Sequence, residues 1–306
     1  MARTRFAPDR GLTNRMLLTM FMIGLLYVVV VAALLVFLKG AWLIILLVAG
    51  GLFVAQFWFS DRIAAFSMGA REVTPQEFPE LHGAVDRLCA LADMQKPKVA
   101  VAQSDVPNAF ATGRNEKNAM VCVTTGLLRR LEPEELEGVL AHELSHVAHK
   151  DVMVMTIAGF LGVLAGVITR VGVQFGLFGG FDRRDSRDGD NQAMMAIIVI
   201  GASAVVYAIS FLLTRMLSRY RELSADRSAA LLTGRPSALA SALTKVTGQM
   251  AAIPTQDLRK AQPFNAFYFA PALKPKEALS NAFSTHPTLE ARLEQLGRIS
   301  ADLGRP

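Results

Sequence analysis

Four stretches of the chain carry no charged side chain for 18 residues or more: residues 16–38, 41–59, 152–169 and 193–213. As helices they are long enough to cross, or nearly cross, a hydrocarbon core of about 30 Å. Lys39-Gly40 breaks the first pair, and Trp42 and Trp58 stand near the two ends of the second run, where an indole prefers the interface. The first run is too long for a signal peptide, lacks a small-x-small cleavage site and is followed at once by another span. Arg170 ends the third run. A glycine-rich apolar stretch, 171–181, and a dense polar turn, 182–192, then separate it from the fourth. This second pair reads as a hairpin that either spans the bilayer or re-enters it.

Elsewhere the pattern is that of a soluble domain. Residues 75–94 repeat apolar positions at helical spacing, and 98–103 and 118–124 read as short strands, with 108–112 a weaker third. Residues 133–150 predict a strong helix, with Pro133 at its first position and Glu134 and Glu135 at its positive end. A helix over 214–232 is stopped by Gly234 and Pro236, and Pro287 starts a last helix over 287–303. The expected fold is mainly α, a membrane protein with about four apolar helices and an α+β domain built round a small sheet. Its expected parts are an N-terminal two-helix hairpin (1–60), the first part of the soluble domain (61–151), the second apolar hairpin (152–213) and the second part of the soluble domain (214–306).

Composition narrows the class. Of 306 residues 52% are hydrophobic and only 19% charged, which excludes a disordered chain, a collagen and a charged nucleic-acid-binding tail. In so apolar a chain, the net charge of +6 marks the cytoplasmic side of a membrane, not a nucleic-acid groove. Arg3, Arg5, Arg10 and Arg15 precede the first run, and Arg215, Arg219 and Arg221 follow the last, so both termini read as cytoplasmic. Arg170, Arg183, Arg184 and Arg187 fall on the opposite side, so the rule is met on balance. Cys89 and Cys122 lie far apart with no C-x-x-C, and they read as reduced thiols, not as a disulfide or a zinc ribbon.

The chemistry is concentrated on the strong helix, at His142-Glu143-Leu144-Ser145-His146. Residues four apart share a helical face, so both imidazoles can reach one tetrahedral ion, and Glu143 can take a proton from a water beside it. A catalytic zinc takes three protein ligands. His149, three residues past His146, faces partly away and reads as a helix-end residue or a group behind the ligands. Glu222, in Arg221-Glu222-Leu223-Ser224-Ala225-Asp226, is better placed. If the third and fourth runs pair as a hairpin, His146 and Glu222 emerge on one side at similar heights, about 9 and 13 Å along their helices. Asp226, one turn on, could hold the other N–H of a ligand histidine. From spacing alone, a solvated charged helix face explains this second motif equally well. Asn108 lies in the weaker strand, which an extended substrate could join by β-addition; a turn asparagine after Pro107 is the plainer reading.

H-E-L-S-H-V-x-H-K-D, the later R-E-x-S-A-D, the final S-T-H-P and Pro107-Asn108-Ala109-Phe110-Ala111-Thr112-Gly113 together resemble the HtpX-type membrane metalloproteases, relatives of the eukaryotic CAAX prenyl endoprotease. The resemblance covers nearly the whole chain. It implies a gluzincin-type domain with one zinc per chain held by His142, His146 and Glu222, with Glu143 as base and Asp226 behind a ligand histidine. It further suggests that His286 sits near the zinc and stabilises the oxyanion, against the simpler role of a helix-initiating histidine with a local hydrogen bond. It implies a multi-pass endopeptidase of the bacterial inner membrane that faces the cytoplasm. Its substrates would be polypeptides, chiefly misfolded or damaged membrane proteins, in a stress response, with the bilayer and no nucleic acid as its other partner. Two other classes stay open: a narrow-specificity processing protease of the CAAX type, and a non-catalytic metal-binding membrane scaffold, against which the intact Glu143 argues.

Overall fold

The computed structural model describes residues 9–37, 49–58, 68–113, 115–177, 188–250 and 284–304, together with Leu47 and Phe66. In chain order its helices and strands are α1 (Arg10–Phe37), α2 (Ala49–Trp58), β1 (Ala70–Glu72), α3 (Pro79–Ala92), β2 (Lys98–Ala102), β3 (Ala109–Thr112), β4 (Met120–Thr124), α4 (Thr125–Leu128), α5 (Pro133–Ala148), α6 (Asp151–Leu177), α7 (Asp188–Thr233), α8 (Pro236–Met250) and α9 (Leu289–Asp302). They divide into two compact units. One is formed by Met1–Met16, Gln56–Val154 and Arg215–Pro306, the other by Leu17–Ala55 and Met155–Thr214.

The second unit is apolar. Leu17, Leu18, Phe21, Val28, Ile197 and Val205 are all exposed, the surface of a protein solvated by lipid. Tyr27 of α1 fastens onto α6, donating to Ile157 O at 2.7 Å and accepting from Leu161 N at 2.8 Å. Gly162 lets α7 approach: a Cβ there would stand 3.0 Å from Ser210 Oγ. Of the four expected spans, two described helices, Arg10–Ala32 and Ile197–Thr233, are long and apolar enough to cross a membrane. α6 passes that test only when joined to α5. Residues 41–46 of the second run and 182–187 of the polar turn lie outside the described residues.

Among the boundaries that differ from the sequence reading, three have a plain local cause. α1 begins at Arg10, six residues before the uncharged run, because the Asp9 carboxylate accepts the Leu12 N–H at 3.1 Å. The fourth run and the helix expected over 214–232 are one helix, since neither glycine nor proline occurs between 202 and 233. The last helix starts at Leu289, capped by Thr288, so Pro287 precedes the cap and does not occupy the first turn.

The first unit holds the sheet, in the order β1-β2-β4-β3, with β2 and β4 parallel and both edge strands antiparallel. Alternation along β2 and β4 turns Val99, Val101, Val121 and Val123 into the main core with α3, α5, α8 and α9. Ala100, Ala102, Cys122 and Phe110 of β3 form a smaller cluster on the other face. β1, Ala-Arg-Glu, was not expected: three residues with no apolar alternation carry no strand signal, and pairing with β2 alone makes them one.

α5 runs through this core. Pro133 is its first residue, and the Glu135 carboxylate turns back to accept the Glu132 N–H at 2.9 Å. The same carboxylate binds Lys245 and Ser241 of α8, at 2.8 and 2.6 Å. Val139, Leu140 and Leu144 are fully buried, and Gly138 lets α8 come close. The helix ends at His149 because Lys150 takes a left-handed φ of 56°, and α6 begins at the next residue.

Candidate metal centre

His142 and His146, one turn apart on α5, bring their Nε2 atoms to 3.1 Å of each other. Glu222 reaches them from α7, Oε1 lying 3.4 Å from His146 Nε2 and Oε2 3.7 Å from His142 Nε2. One ligand atom from each of the three lies within 4.8 Å of the others, a group able to hold a metal ion. A tetrahedral zinc with bonds of 2.0–2.2 Å spaces its donors by roughly 3.3–3.6 Å, close to the separations of His146 Nε2 from His142 Nε2 and from Glu222 Oε1. Two imidazoles and a carboxylate also match the donor preference of zinc.

Each histidine is oriented from behind. His142 Nδ1 lies 2.9 Å from Asp226 Oδ1, and Arg292 of α9 grips Asp226 with two bonds of 2.6 Å. His146 Nδ1 lies 2.6 Å from Asp151 Oδ2, and Asp151 pairs with Arg221. With both Nδ1 atoms turned to carboxylates, the Nε2 lone pairs face the common point. Ser145 closes the α5–α7 contact, its buried hydroxyl 2.7 Å from His142 O and 3.4 Å from Ala225 O. Burial works against the Asp226 carboxylate, but Arg292 outweighs it and holds Asp226 below its ordinary range.

Glu143 is buried on the side facing β3, where its Oε2 accepts the Ala111 N–H at 2.8 Å. Burial pushes its carboxyl up to about 7, with Glu222 adding to the rise and His146 and the Ala111 N–H opposing it. A carboxylate poised there suits proton exchange near neutral pH.

His286 meets the cluster from the segment before α9, its Nδ1 2.9 Å from Glu222 Oε2. Ser218 and Arg219 of α7 donate to Thr285 O and Ser284 O at 2.8 and 3.2 Å, which pins that segment beside Glu222. Burial opposes the Glu222 charge, yet His286 and His146 hold its carboxyl well below the usual range. Asn108 is fully buried just before β3, its backbone tied to Thr124 through Oγ1 at 2.9 Å and through the Thr124 N–H at 2.9 Å. His149 caps α5 outside the three-donor group, its carbonyl accepting from Arg221 at 3.2 Å. Burial, with Arg221 and His146 nearby, lowers its imidazole to about 4.

The structure thus brings His142, Glu143, His146, Glu222, Asp226 and His286 into one place. The sequence reading missed Arg292, Asp151 and Arg221. A buried carboxylate at Asp226 demands a cation, but nothing in the pattern says which of many arginines supplies it. Asp151 stood in the quoted H-K-D with no role assigned.

A two-histidine, one-carboxylate cluster able to hold a metal ion, with a buried glutamate beside it, thus stands in a chain with long apolar helices. The chain belongs to peptidase family M48, whose family model matches residues 75–300. It is 63% identical over 302 residues to Protease HtpX homolog 1 of Streptomyces coelicolor, covering 99% of this chain and 97% of that one. It is 50% identical to the Protease HtpX homolog of Moorella thermoacetica, covering 98% of each chain. Among solved structures it matches S. mikatae Ste24p with a TM-score of 0.54 at 20% identity, a likeness of fold that covers 92% of this chain and 64% of that one.

Proposed function

We propose that the chain is a zinc-dependent endopeptidase of the bacterial inner membrane that cleaves misfolded or damaged membrane proteins at the cytoplasmic face. The observation that carries the reading is the convergence of His142, His146 and Glu222 beside buried Glu143. These three residues would hold one zinc ion, which supplies a Lewis acid that polarises a peptide carbonyl and brings the pKa of water to about 7. The Glu143 carboxylate takes the proton of the attacking water and passes it to the departing amine. Asp226 keeps His142 in the tautomer that leaves Nε2 free. His286, held beside Glu222 through Nδ1, would lie close enough to the ion to steady the charge that develops on the carbonyl oxygen.

Substrate binding is assigned to β3. It ends the sheet among the described strands, and pairing with β4 turns alternate backbone groups outward, one of which, the Ala111 N–H, already donates to Glu143. An extended polypeptide would add to that edge; Asn108 at its start is fully buried and tied to Thr124, so the expected contact of its side chain with a substrate carbonyl is not part of this reading. Arginines 3, 5, 10 and 15 ahead of the first run, and 215, 219 and 221 after the last, support the cytoplasmic orientation.

Metal analysis of the purified protein, together with cleavage of an unfolded reporter, tests the reading. One zinc per chain and cleavage abolished by chelator are expected; cleavage that survives complete removal of metal sinks it. Orientation is tested by placing a cysteine at exposed Arg298 in a Cys89→Ser, Cys122→Ser background. Labelling of that site by an impermeant reagent outside intact cells would reverse the topology.

A further inference from the structure

We infer that Asp151 and Arg221 form a second positioning pair, which sets the orientation and basicity of His146 as a metal ligand and locks it in register with Glu222. The inference rests on the ligand assignment proposed above. His146 Nδ1 lies 2.6 Å from Asp151 Oδ2, the short separation of a charge-assisted bond in which the imidazole N–H donates to the carboxylate. That bond leaves the Nε2 lone pair facing His142 and Glu222. Asp151 is 7% exposed and Arg221 9%, so this is a desolvated pair and not a surface contact.

The placement of the pair in the chain gives it a second consequence. Arg221 is the residue immediately before Glu222, and its guanidinium binds both the Asp151 carboxylate and, at 3.2 Å, the carbonyl of His149, which ends α5. One side chain on the glutamate-bearing helix therefore holds the end of the helix that bears His146. The left-handed turn at Lys150 is what returns Asp151 toward His146, five residues earlier. The arrangement repeats on different elements what Asp226 and Arg292 do for His142. A purely local role, an acid in the first turn of α6, would not require the carboxylate to face an imidazole or to be held by an arginine from another helix.

The test uses full-length protein in detergent and reads zinc affinity by competition with a chromogenic chelator, alongside visible absorption of the cobalt-substituted protein. Asp151→Ala is expected to weaken zinc binding by about 10–100-fold and to alter the cobalt spectrum, as loss of a partner behind a ligand histidine does. Arg221→Met should weaken it by roughly tenfold, and Arg221→Lys, which keeps the charge, should recover most of that loss. Asp151→Asn, which keeps size and one acceptor oxygen, reads the same quantity if the alanine variant does not accumulate, with a loss of roughly threefold or more expected. Lys245→Ala removes an ion pair of the same unit and should lower thermal stability without changing affinity or spectrum. If His146→Ala loses zinc while Asp151→Asn and Arg221→Met both stay within about twofold of the parent, the pair is only structural and the inference fails. If the parent protein takes up no zinc, or His146→Ala retains it, the ligand assignment itself is wrong.

Discussion

Replacing Arg292 by Met tests whether the site is held together by its buried charges. Arg292 is 2% exposed and Asp226 fully buried, and their two bonds of 2.6 Å stand directly behind His142. Methionine fills much of the arginine volume but leaves the Asp226 carboxylate in the core with no cation. Removing one partner of such a pair costs about 3–5 kcal/mol, which for a domain of this size lowers the melting temperature by on the order of 10 °C. Zinc affinity should fall about 10–100-fold, because the carboxylate that orients His142 loses its anchor. At fixed free zinc, each tenfold loss removes about 1.4 kcal/mol of the stabilisation that the metal provides. The melts are recorded on chelator-treated and zinc-loaded protein in parallel. Adding Asp226→Asn to Arg292→Met removes the stranded charge, so the double variant should regain at least half of the lost stability in the chelator-treated protein. It should not regain zinc affinity. A single variant that melts within about 2 °C of the parent and binds zinc equally well would refute this account of the pair.

Glu143→Gln should abolish cleavage, by at least about two to four orders of magnitude, while zinc content stays at the parent level, since the amide cannot take a proton; a variant with a tenth of the parent rate would move the base elsewhere. Glu222→Ala should lose most of its bound zinc on dialysis, and full retention would make His149 the first alternative ligand to examine. Glu135, buried at the start of α5, has its carboxyl held low: burial opposes the charge, but bonds from Lys245 and Ser241 and the Glu132 N–H prevail. Its contribution to stability is therefore complete above the unfolded carboxylate value of about 4.3 and is lost as pH falls through its lower folded value. Glu135→Gln should flatten the acid limb of the stability curve, and an unchanged limb would contradict this. Cys89 and Cys122 are buried, which raises their thiols to about 11 and 12. Neither should react with thiol reagents at pH 8 until the protein unfolds.

Long elements with a single dominant pattern were legible in the chain. The apolar runs and the capped start of α5 follow from composition, and the boundary errors came from capping at Asp9 and Thr288, where one side chain decides the start. β1 was invisible because its pairing with β2, not its own residues, makes it a strand. The continuity of α7 was understated because the change from apolar to charged residues near Arg215 looks like a boundary, although the backbone meets no residue that would break a helix.

The centre itself was legible to different depths, for a physical reason. A tetrahedral ion would restrict its ligands to few residue types at fixed spacings, so His142 and His146 stand out as candidates four apart, and Glu222 joins them once one helix is placed beside theirs. The groups behind the ligands obey a looser rule. A carboxylate may approach an imidazole from any element, as Asp226 does from α7 and Asp151 from the start of α6. The cations that follow are less constrained still, and Arg221 and Arg292 come from separate helices. Their charges nevertheless complete the electrostatics. Each aspartate is neutralised by its own arginine, so the carboxylates orient the histidines without adding net negative charge at the centre. Glu222 in turn faces His286 at 2.9 Å and Arg292 at 3.8 Å, so the buried carboxylates of the cluster are matched by partners from several elements. Without the arginines, Asp151 and Asp226 would stand as bare buried carboxylates beside Glu143 and Glu222, and that repulsion would favour protonation over the charged forms that orient the imidazoles.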